Sequence, residues 1–188
     1  MSIDYSKFDQ AVRAFFTNDE SYPGDPNWDM GEEFQMNILG KLVKEKYSEL
    51  LPRLRLTTHW KNNTYFDHKT KKLDPDPWFA IAFEDVDYAT APPNPFFLIR
   101  FHFDFGRVIK DKKYRNLVVK TVSGTELDKA IEKACRVYAK VYLDNHRKAV
   151  KILESSNDSE IAEAITEIQN TTINPSEILG NSPIEITI

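Results

Sequence analysis

The chain has one cysteine, Cys135, in 188 residues, so no intramolecular disulfide can form and a multi-cysteine zinc knuckle is excluded. Cys135 sits among Ala134, Arg136 and Val137 in a helical stretch, with no His or Asp pattern of an activated nucleophile beside it. It reads as a structural thiol. No apolar run approaches the roughly 18 residues that span a bilayer. The opening MSIDYSKFDQ lacks the basic-then-apolar order of a secretory leader. These absences predict a protein of the reducing cytoplasm with no membrane partner. Repeats and low-complexity tracts are missing too. No G-x-S-x-G elbow occurs on which a hydrolase triad could be anchored. Nor do His59, His68, His102 and His146 fall at any spacing that a zinc site uses. The expectation is therefore no metal and no cofactor.

Basic residues are also absent from one region. Lys151 is the last, and from Glu154 onward the chain holds seven acidic residues and no basic one. The net charge of −4 thus divides into −7 there and +3 before it. Against these lacks stands a large apolar content: 41% hydrophobic, with 12 Phe and 8 Tyr. That much ring surface has to be buried, and the length suits one core. The division predicted is a single domain over 1–153, followed by an acidic C-terminal part, 154–188, packed on it or extending from it.

Periodicity supplies the elements. Ser6 and Asp9 suggest a capping box for a short helix with Phe8, Val12, Phe15 and Phe16 on one face, ending near Thr17. Residues 18–30 are rich in turn formers. Asp29 and Glu32 suggest a second box for a helix over 31–51, which Pro52 ends. From Arg53 the period becomes two: Leu54, Leu56, Thr58 and Trp60 alternate with Arg53, Arg55, Thr57 and His59, a half-buried strand. Asn62-Asn63 suits a hairpin turn into a strand over 64–67. A further strand is expected at WFAIAFEDV. The clearest is FFLIRFHFDF, where Phe97, Ile99, Phe101, Phe103 and Phe105 share one face and Arg100, His102 and Asp104 the other. Residues 106–115 read as a basic connection and 116–122 as the returning strand. Ser123 and Glu126 would cap a long helix over 125–153. A shorter acidic helix, Asp158 to Gln169, the capped turn NPSEILG, and alternating Ile184, Ile186 and Ile188 complete the chain.

Runs of strands between helices predict an α+β fold: an antiparallel sheet of four to six strands flanked by two long helices, with a short N-terminal helix and an acidic helical C-terminal appendage. Five constellations then bear on function. Arg53, Arg55, His59, Arg100, His102 and Asp104 would stand together on the polar sheet face, able to bind an anion or relay a proton. The same alternation describes an ordinary solvent-facing side. Asp25, Asn27 and Asp29 imitate the start of a calcium loop, but Met30 and Met36 replace the turn Gly and the bidentate Glu. The order helix, strands, helix loosely resembles the core of restriction-endonuclease-like nucleases; Asp76 and either Glu33 or Glu45 would be its carboxylates, but Arg100-x-His102-x-Asp104 stands where the metal-binding triplet belongs. Two basic loops, Lys69, Lys71, Lys72 and Arg107, Lys110, Lys112, Lys113, Arg115, offer phosphate contacts, with Trp60, Tyr65 and Tyr114 for stacking. Finally, Ile184, Ile186 and Ile188 suit a strand added to a sheet edge, its own or a partner's.

The function expected is non-enzymatic: binding of a protein partner, or of a second copy, through the acidic helix and terminal strand. The alternative is a nucleic-acid-binding or nuclease-like-fold protein using the polar face and basic loops.

Overall fold

A computed structural model of the chain describes residues 3–61, 66–67, 72–73, 77–83, 97–155 and 183–188. Helices come first: α1 (Ser6–Thr17), α2 (Pro26–Gly31), a π-helical segment (Glu32–Gly40), α3 (Lys41–Lys46) and the single turn α4 (Leu50–Arg53). Strands β1 (Leu56–Trp60), β2 (Phe66–Asp67), β3 (Lys72–Leu73), β4 (Trp78–Phe83) and β5 (Phe97–His102) follow, then α5 (Phe105–Lys110), α6 (Lys112–Val122), α7 (Thr125–Ser155) and β6 (Ile184–Thr187).

The main sheet has four strands in the order β1-β4-β5-β6, and β2-β3 form a separate two-stranded ribbon. β4 pairs antiparallel with β1 and with β5, whereas β6 lies parallel to β5. Alternation sends Leu56, Phe79, Ile81, Phe83, Ile99 and Phe101 to one face, where all six are buried. The π-helical segment lies over this face, with Gly40 close to Thr58 and Phe79. Phe34 of that segment meets Phe8 of α1 at 5.5 Å and Phe103 at 5.9 Å between ring centroids. Burying each such ring contributes about 1.5–3 kcal/mol. At the other end of the core, the Tyr47 hydroxyl donates to Asp128 at the start of α7, and Lys46 Nζ lies 2.6 Å from the same carboxylate.

The fold is thus mixed α and β with a largely antiparallel sheet, but several boundaries differ from those read in the sequence. Residues 53–55 are not strand. Pro52 falls in the first turn of α4, where a helix needs no N–H from it, and Arg55 then takes a left-handed conformation with φ of 54°. The helix expected over 31–51 begins at Pro26, because Asp25 and not Asp29 is its cap: Asp25 Oδ1 accepts from Asn27 N at 2.9 Å. α1 likewise lacks the Ser6–Asp9 box, and Asp4 accepts the Ser6 N–H at 2.9 Å instead.

The largest correction concerns 103–122. β5 ends at His102 because Asp104 caps α5, accepting from Arg107 N at 2.9 Å. Asp111 caps α6 in the same way, accepting from Lys113 N at 2.8 Å. The stretch expected to be a basic loop and a strand is therefore two helices. Tyr114, Val118 and Val122 recur every four residues and are all buried. That helical spacing overrides the strand preference of the valines. β1 takes β4 as its partner, and Phe66 pairs with Leu73, so of the expected return strand the described residues 66–67 pair with β3 and not with β1. The Asn62-Asn63 turn, the acidic helix Asp158 to Gln169 and NPSEILG lie outside the described residues.

Candidate functional site

On the sheet face opposite the core, pairing aligns four residues in a row: His59 on β1, Ala80 on β4, Arg100 on β5 and Glu185 on β6. The neighbouring row brings Trp78 beside His102 and His102 beside Thr187. A register shift between Ile81 and Ala82 pairs Ala82 with Phe97, which turns the Phe97 ring onto this face as well. Because β4 presents only alanines at Ala80 and Ala82, side chains from the strands on either side meet above it. His59 and Phe97 rings lie 6.3 Å apart across it. Trp78 and Phe97 stand edge to face at 5.1 Å. The Arg100 guanidinium rests over both, 5.8 Å from Trp78 and 5.4 Å from Phe97.

The charged centre of the face is Glu185. Its Oε1 accepts from Arg100 Nε at 2.9 Å and also from Arg100 Nη2, and its Oε2 lies 2.8 Å from His102 Nε2. Desolvation pushes the Glu185 carboxyl up, but the Arg100 and His102 hydrogen bonds together outweigh it and hold the group below its ordinary value. Desolvation alone lowers His59, so its neutral imidazole is favoured. The backbone fastens the same strand. Ile188 N donates to His102 O at 3.0 Å. Tyr114 Oη donates to Ile188 O at 2.7 Å while accepting from Asp104 N at 3.0 Å.

The six residues predicted to share the polar face therefore separate. His59, Arg100 and His102 are on it. Arg53 and Arg55 are exposed in and just after α4, off the sheet. Asp104 is spent on the α5 cap. Of the basic loop residues, Lys110, Lys112 and Lys113 are exposed where α5 meets α6. Arg115 is not a loop residue: it is buried, its Nε donating to Val108 O at 3.0 Å, Nη2 to Ile109 O at 3.1 Å and Nη1 to Asp9 Oδ1 at 3.1 Å. It satisfies the last carbonyls of α5 and ties α1 to them. Lys72 lies on β3, and Lys69, Lys71 and Asp76 fall outside the described residues. Ile184, Ile186 and Ile188 pack on the core's edge. Reasoning from sequence missed Glu185, Trp78 and Phe97 as parts of the site. The alternation of Glu185 with three isoleucines was the available signal, but only the parallel register shows which side chains it meets.

Chemically, this face can hold a carboxylate and shelter it beside aromatic rings. Among the described residues no group of three or more His, Cys, Asp or Glu is placed to hold a metal ion, and no helix is long and apolar enough to cross a membrane. Elsewhere, an open cleft of about 660 Å³ lies between the start of α1 and the π-helical segment. Its lining sets Asp4, Glu33 and Glu45 against Lys7, Lys41 and Lys44, an even charge with no converging donors. In comparisons with known proteins, no family model, no curated protein and no solved structure matches this chain.

Proposed function

We propose that this protein is a non-enzymatic interaction domain that engages a protein partner, or a second copy of itself, through its acidic C-terminal segment and the strand β6. The observation that supports this most is the way β6 is attached: a four-residue strand laid parallel on β5 at the margin of the sheet and fixed by the Glu185 carboxylate between Arg100 and His102. A strand of that kind is joined to the domain by pairing that any extended chain can make, with side-chain recognition at alternate positions. The seven carboxylates after residue 153 add an electrostatic preference for basic partner surfaces. The test is association measured by analytical ultracentrifugation and by capture of stoichiometric partners, with the full chain beside one lacking residues 171–188. The reading expects a discrete complex that is lost with the segment. A complex of equal strength without it refutes the reading.

The nucleic-acid alternative, including a nuclease-like fold, rests on the exposed Lys110, Lys112 and Lys113. It has the weaker support, because Arg115 is buried and Arg100 is engaged by a carboxylate. Binding to short nucleic acids that falls steeply with salt would establish it.

A further inference from the structure

Resting on that reading, we infer that the edge of β5 is a strand-acceptor site, that Ile184–Ile188 is its tethered occupant, and that its ligand in trans is an extended peptide with one acidic residue between β-branched apolar ones, added parallel to β5. The tethered strand displays the chemistry the site selects. Glu185 lies opposite Arg100 in the register and shares its carboxylate with His102. Ile184 and Ile186 lie opposite Ile99 and Phe101 and pack against the core. The backbone of Ile188 is held on both sides of its Cα, its N–H by His102 O and its carbonyl oxygen by the Tyr114 hydroxyl. A basic residue in place of Glu185 would face the Arg100 guanidinium and lose the carboxylate that His102 meets, so the site discriminates on charge at that position and on apolar branching at its neighbours.

Occupancy by the chain's own strand is reversible on physical grounds. β6 has four residues and a strand on one side only among the described residues. The side chain of Glu185 is 39% exposed, so solvent and salt screen its ion pairs. The 27 residues numbered 156–182 connect it to α7. A strand in the same chain competes intramolecularly with any ligand in trans. The same site therefore holds its own strand in isolation and yields to a ligand presented at higher local concentration or with tighter contacts.

The experiment uses the full-length chain and a fluorescent synthetic peptide of sequence SPIEITI. Glu185→Arg sets a guanidinium against Arg100 and His102 and so disfavours the tethered strand. Anisotropy is expected to show the peptide binding Glu185→Arg at least about tenfold more tightly than the unmodified chain, while a peptide with Lys for Glu does not bind. Equal affinity for variant and unmodified chain, or equal binding of the Lys peptide, overturns the inference. Should Glu185→Arg fail to fold, native-state hydrogen exchange on the unmodified chain decides. The Ile188 amide is expected to open at lower free energy than the β4 amides, and exchange of Ile188 only with global unfolding overturns the inference. If the peptide fails to bind yet deletion of 171–188 still abolishes a partner complex, the acceptor site is discarded and the interaction reading stands. If the peptide binds but deletion leaves the complex unchanged, the interaction reading fails and the acceptor site stands.

Discussion

Arg100 and Arg115 each bind a carboxylate from a distant part of the chain, but they do so in different surroundings. Arg115 is 5% exposed, and beyond Asp9 it donates to two backbone carbonyls and lies over the Phe8 ring at 4.7 Å. Arg100 is 14% exposed and its carboxylate, Glu185, 39%. The first pair serves two carbonyls at the end of α5 and is part of the architecture. The second joins a strand whose place could be taken by another of like pattern. Burial and the number of backbone groups served decide whether an ion pair is a fixture or a recognition element.

The largest effect expected from breaking this comparison is at Arg115. Arg115→Ala strands the Val108 and Ile109 carbonyls and uncovers the Phe8 ring, and should cost about 3 kcal/mol in urea denaturation. A loss below about 1 kcal/mol would place both arginines in one class. Next comes the Arg100–Glu185 pair. A double-mutant cycle to alanine should return a coupling of about 0.5–1 kcal/mol that shrinks in high salt. Coupling as large as the Arg115 loss would make β6 a permanent strand.

The smallest effect is in pH. Glu185 has its folded pKa depressed below 4.5, so its stabilisation is present above the unfolded value and is lost as pH falls through the folded one. His59, depressed below 6.5 by burial, makes stability fall as pH drops below 6.5, because the unfolded imidazole binds the proton first. The urea midpoint of the unmodified chain should fall between pH 7.5 and 5.5, and His59→Phe should flatten that slope; a parallel slope in the variant would remove His59 as its source.

Much of the molecule was legible in its sequence because two kinds of information are local. Periodicity reports which face of an element is apolar, so α1 with its buried Phe8, the alternation from Ile99 to His102 and the helix from Thr125 follow from spacing, whereas the bulge turns Phe97 off the apolar face it was read on and Phe16 is exposed. Charge segregation after Lys151 is likewise a property of the string. Boundaries were less legible, since competing caps stand close together: Asp25 and Asp29, Asp4 and Ser6. The valines of 116–122 satisfy both a strand preference and a helical spacing, and only the Asp111 cap and the buried Tyr114 beside them settle it.

What the sequence by itself determined is the class of the fold and the acidic character of the last 35 residues. Tertiary structure alone decided that Arg115 would be buried, that Arg53 and Arg55 would leave the sheet, and that Glu185 would find Arg100 and His102. The reason is range. Alternation and capping act over a few residues, whereas strand order and register are fixed by pairs distant in the chain, above all the parallel pairing across the 85 residues between Arg100 and Glu185, which no local pattern encodes.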